Sequence, residues 1–233
     1  MEYTVHRALV MLKTTKARIE KELSDKDSTW VRVARGQDDN ISGVPIKDIE
    51  NDIRARYDRI TALISNYSQI KRAVVASNAG IIPGTELRRV TVGGIAMTVA
   101  EIIELQETVY GRTRKPGFKS ALLAKMKEDY SAAQVEFDDL QERADEEVAQ
   151  YIRSLSGKKQ DDDEKAASIK SLIDATSKML HEQKNPRLID PLHIADKINA
   201  LEHEIENFRI EADAVLSEEN ALTLIHIDLT EIR

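Results

Sequence analysis

The chain has no cysteine among its 233 residues, which removes disulfides, thiolate catalysis and thiolate metal sites together. That fits a reducing cytosol, or a virion assembled in one. Aromatic residues are only 4% of the total while charged residues are 32%, a balance that favours long solvated helices over a compact α/β enzyme. No run of about 18 apolar residues occurs, so no transmembrane helix is expected. The opening MEYTVHRALVMLKTTK lacks the basic-then-apolar order and cleavage site of a signal peptide. A soluble cytoplasmic protein without membrane contact is the expectation. Excess basic charge is also missing: net charge is −7 and the sequence pI about 5.4, so nothing pulls the whole chain toward nucleic acid. HExxH, GxSxG, GxGxxG and GxxxxGK[ST] are absent, as are the alternating ligands of an EF-hand. The sequence therefore implies no enzyme, no cofactor and no metal site.

What the chain does have is helical periodicity. From Leu123 to Leu155, apolar or small residues recur at Leu123, Met126, Tyr130, Ala133, Phe137, Leu140, Ala144, Val148, Tyr151 and Leu155. Charged flanks around a 3.5-residue repeat predict a coiled-coil helix, and an unbroken helix of that length would reach about 50 Å. A second heptad series, Ile194, Ile198, Leu201, Ile205, Phe208, Ala212 and Val215, follows Asp190-Pro191. Two such helices in one chain predict an antiparallel pairing.

The remaining elements fall in order. A helix is expected from Tyr3 to Leu23, a short strand at Trp30–Val33, and a polar loop over Gly36–Gly43. A long helix should open at Pro45 and stop near Asn78-Ala79-Gly80. Two β-favouring runs joined by Gly93-Gly94 predict a hairpin. Thr98 and Glu101 then form a capping box. The segment Gly111–Gly117 interrupts the next helix, and Ser156–Asp163 reads as a charged loop. Glu164 to about His181 is helical, carrying Ile169, Leu172, Ile173, Thr176, Met179 and Leu180. Ala221–Leu229 reads as a strand that would join the Gly93-Gly94 hairpin. The fold class is thus mainly α: one elongated antiparallel helical bundle or coiled coil, residues 1–233. It would carry a small β element from about 86–99 and 221–229 at one end.

For function, the stripes offer a self-association or partner interface. Its candidates are Leu123, Met126, Tyr130, Phe137, Leu140, Ile198, Leu201, Ile205 and Phe208, with a homo-oligomer and an unidentified protein as partners. The alternative is an anion-, nucleotide- or nucleic-acid-binding module in the basic segment 112–127. Arg112, Arg114, Lys115 and Lys119 would carry it, with Gly111 and Gly117 leaving backbone N–H groups available to an anion. The five histidines, His6, His181, His193, His203 and His226, show no ligand spacing.

The run ISNYSQIKRAVVASNAGI followed by VTVGGIAMTVAEIIEL resembles the uncharacterised bacterial DIP1984-type helical proteins. In these a long helix leads to a glycine-containing β turn and another helix. The segment from Ile198 to Ile227 is similar in ending a heptad helix in an Asn and a hydrophobic tail. The resemblance implies a helical fold and no activity. In general style the chain also resembles accessory or structural proteins of phages and prophages.

Overall fold

A computed structural model describes residues 3–25, 27–78, 89–112, 115–156 and 163–222. Among them the protein is mainly helical, with six α-helices and three two-stranded antiparallel sheets. The chain divides into two compact units, one of Met1–Asp25, Arg59–Ala124 and Ile198–Arg233, the other of Lys26–Asp58 and Lys125–Lys197.

In the first unit, α1 (Val5–Ser24) opens on Thr4, whose hydroxyl accepts the Arg7 N–H at 3.3 Å. Its apolar face buries Leu12 and Ile19, but Val5 and Leu9 on the same face stay 44% and 49% exposed. Strands β4 (Val90–Val92) and β5 (Ile95–Met97) form the expected hairpin, with Val92 opposite Ile95. Gly93 and Gly94 both take positive φ, 59° and 73°, the tight turn that matches strand twist. Val92 and Met97 face inward, and Glu211 accepts the Gly93 N–H at 2.6 Å. The capping box then forms: Thr98 Oγ1 accepts the Glu101 N–H while Glu101 Oε2 accepts the Thr98 N–H. It starts α3 (Val99–Leu105), which continues as a π-helical segment, Gln106–Tyr110.

In the second unit the expected short strand forms as β1 (Arg32–Ala34), starting two residues later than the Trp30–Val33 expected. Its partner, β6 (Arg187–Ile189), lies between two Asx-Pro pairs, where the sequence pattern predicts no element. The polar stretch before Pro45 is also more ordered than expected. Strands β2 (Asn40–Ile41) and β3 (Val44–Pro45) pair across Ser42-Gly43, with φ of 52° and 81°.

Three helices contribute residues to both units: α2 (Ile46–Asn78), α4 (Phe118–Ser156) and α6 (Ile194–Leu222). Pro45 therefore ends a strand rather than opening α2. Along α4 the fully buried apolar residues are Leu122, Met126, Ala133, Ala144 and Val148, in steps of four, seven, eleven and four. Burial thus tracks the intrinsic helical period, and the heptad reading drifts off it at both ends. Leu122 is buried where Leu123 is half-buried, and Tyr151 is exposed. The heptad face of α6 is packed as expected, with Ile194, Ile198, Ile205, Phe208 and Ala212 buried. That helix begins at Ile194 rather than at Pro191, because the Asp190 carboxylate caps it by accepting the Ile194 N–H at 2.9 Å. It also runs through Ala221 and Leu222, so the expected C-terminal strand does not start there; residues 223–229 lie outside the described ones. Helix α5 spans Asp163–Lys184, and most of the charged loop before it also lies outside.

Candidate functional site

The basic segment is built around a closed turn. Gly111 has φ of 80°, and a Cβ there would overlap the Gly117 nitrogen. A Cβ on Gly117 would meet the Val109 carbonyl oxygen at 2.6 Å. The two glycines thus allow backbone to pack on backbone. Arg112 N–H donates to Lys115 O at 2.9 Å and Lys115 N–H to Arg112 O at 3.1 Å, so these two amides serve the turn itself. The end of the π-helical segment is held from α6. Arg209 donates to the carbonyls of Tyr110 and Gly111, both at 3.0 Å, and to Ser120 Oγ at 3.2 Å. Those carbonyls end a helix and have no onward helical partner, so the guanidinium caps them.

Lys119 is engaged as well. Its ammonium pairs with Glu204 and lies 4.5 Å from the Tyr110 ring centroid, and Tyr110 stacks on Phe208 at 3.6 Å. Burial raises the Tyr110 hydroxyl pKa, against the lowering influence of Lys119. Arg112 is half exposed and sits 3.5 Å from Glu107, Lys115 is exposed, and Arg114 lies outside the described residues. Of the four anion candidates, Lys119 therefore works as a latch to α6, and the Arg112 and Lys115 amides are committed to the turn.

A second polar centre, absent from the sequence reading, lies in the second unit around Trp30. This indole is fully buried, makes an edge contact with Tyr57 at 6.2 Å and carries the Arg56 guanidinium 4.0 Å above its ring. Its backbone N–H donates to Asp129 Oδ2 at 3.1 Å. Asp129 is 9% exposed, with Lys125 3.6 Å away. Burial raises the Asp129 pKa, more than Lys125, the Trp30 N–H and Arg56 lower it. The signal for this centre was a charged residue on the apolar side of α4, where the heptad reading had no place for it.

A pH dependence follows. Between the ordinary carboxyl pKa and the raised folded value, the folded state keeps a proton that the unfolded chain has released. Stability from this group is therefore highest below the ordinary pKa and declines as pH rises through the folded value. The Asp129→Asn variant keeps an acceptor for the Trp30 N–H without a titrating group. Its urea unfolding, measured from acidic to neutral pH, should lose that part of the slope.

The interface candidates divide by burial. Met126, Ile198, Ile205 and Phe208 are buried within one chain, so they serve its own core rather than a surface. Leu123, Tyr130, Phe137, Leu140 and Leu201 are half-buried. The apolar residues left outside include Tyr3, Val5, Leu9 and Val10 on and before α1, Tyr151, Leu172 and Met179 on α4 and α5, and, more scattered, Val44, Ile95, Ile103, Val135, Leu188 and Ile210. Helix α5 stands apart: over 170–184 no side chain is buried, although the expected apolar positions are in place. Among the described residues no helix is long and apolar enough to cross a membrane. No family model, curated protein or solved structure matches the chain.

Proposed function

We propose that this is a non-enzymatic interaction or assembly protein that acts by pairing with a second copy of itself through α5. The supporting observation is the uncovered apolar side of that helix. Leu172 is 65% exposed and Met179 49%, one heptad apart, with Ile173, Thr176 and Leu180 half-buried beside them. An isolated helix of 22 residues gains little from propensity alone and draws its stability from a packed face. A heptad pair is the pattern that docks against another helix, and a two-fold partner would present the same seam in return. Coiled-coil pairing of this kind suits a cytoplasmic scaffold or a phage-encoded structural factor. Replacing Leu172 and Met179 together by Glu should leave far-UV circular dichroism close to wild type. Self-association should weaken by about 3 kcal/mol, roughly a hundredfold in Kd. Analytical ultracentrifugation reads that shift, and an unchanged association constant would remove α5 from the interface. The same change at Leu9 tests the apolar start of α1 separately.

Binding of anions by the basic segment is the second reading, resting on the exposed Lys115 beside Arg112.

A further inference from the structure

We infer that the second unit contains a binding site for a small phosphate monoester, whose terminal phosphate is held by two arginines. The site is a cavity of about 340 Å³ between the residues after β1, the middle of α4 and the end of α5, within the range of small-molecule pockets. Its cations are Arg35, Arg143 and Lys184, so it is separate from the basic segment 112–127.

Arg35 and Arg143 are the binding groups. Both are exposed, and among the described residues neither guanidinium has a hydrogen-bond or salt-bridge partner. Each therefore offers a planar fork of donors, the geometry that matches phosphate oxygens. Lys184 is already engaged, donating to Glu147 Oε2 at 2.5 Å. Lys184, by hydrogen bond and charge, and then Arg35 lower the Glu147 carboxyl pKa, so the field at this corner is positive. Asp38 is the remaining carboxylate of the lining, and two uncommitted guanidiniums against it favour an anion. The two arginines come from different walls. A terminal phosphate has three oxygens to divide between them, whereas a carboxylate or a phosphate diester has two.

The walls are held together. Gly36 N–H donates to Asn185 O at 3.1 Å, and the Gly36 backbone packs on the Gln183 carbonyl, which joins the segment of Arg35 to the end of α5. On α4, Arg143 and Glu147 stand one turn apart, and beside them Leu140 and Ala144 supply an apolar floor for the carbon body of an ester.

The probes are propyl phosphate, inorganic phosphate, diethyl phosphate and propanoate, titrated into the full chain by ligand-observed NMR at neutral pH and low ionic strength. Saturable binding is expected for the first two, with the diester and the carboxylate about tenfold weaker. Arg35→Gln and Arg143→Gln are surface changes that leave the fold intact, and each should weaken propyl phosphate about tenfold. Arg143→Lys keeps the charge but loses the fork, so it should recover only part of the affinity. Asp38→Asn should strengthen binding, and Arg153→Gln, at an exposed position elsewhere on α4, should leave it unchanged. Absence of saturable binding, equal affinity for diethyl phosphate, or equal losses in Arg143→Gln and Arg153→Gln would overturn the assignment.

Discussion

Trp30→Ala lowers the unfolding free energy by about 3–5 kcal/mol, the range for removing a buried large aromatic. The indole is fully buried, and its loss leaves a void between Tyr57 and the Arg56 guanidinium, which now rests on its face. Arg56 and Asp129 are themselves buried, so water entering that void would reach charges at present set in a low dielectric. Trp30→Phe separates the contributions. Trp30 Nε1 is buried without a hydrogen-bond partner, so phenylalanine sacrifices no bond there and keeps a ring under Arg56. Its cost should be less than half that of alanine. Urea unfolding followed by far-UV circular dichroism measures both, since Trp30 is the single tryptophan and its fluorescence is lost in each variant.

Gly36→Ala has the next largest effect, about 3 kcal/mol from two sources: a left-handed conformation and a backbone overlap. Gly36 has φ of 55°, and a Cβ there would overlap the Gln183 carbonyl oxygen. Backbone, unlike a flexible side chain, cannot swing aside. The Gly36 N–H also donates to Asn185 O at 3.1 Å, two residues beyond the Ala34–Arg187 pair of the β1–β6 ladder. Alanine would force the end of α5 away from β1 and break that bond. Gly43→Ala is the control: its φ is 81° but nothing lies within 4 Å of the added methyl. It should cost only about 1 kcal/mol of strain. Equal losses at the two sites would show that conformation alone matters at Gly36.

Much of the helical architecture was legible because it rests on local chemistry. The Gly93-Gly94 turn, the Thr98–Glu101 box and the apolar face of α6 each depend on residues a few positions apart. The β1–β6 pair does not: Arg32 and Ile189 meet across most of the chain, and the three residues of β6 are too few to carry a pattern of their own. The Trp30 centre stayed hidden for a related reason. Trp30 read as one residue of a short strand and Asp129 as one charge among many on α4, and only the fold brings them together. The basic segment shows the converse. Its composition suggested an open anion site, but the partners of Lys119 and the Arg112 amide come from Glu204 and from the turn itself.

The assembly reading rests on whether α5 meets a second copy. Static light scattering behind size exclusion, run as a concentration series on wild type and on the Leu172→Glu, Met179→Glu variant, addresses it directly. The expected wild-type mass is twice the 26.3 kDa of one chain at micromolar concentration, with the variant at the single-chain value. A wild-type mass that stays at one chain across the series would contradict the proposal that α5 pairs two copies.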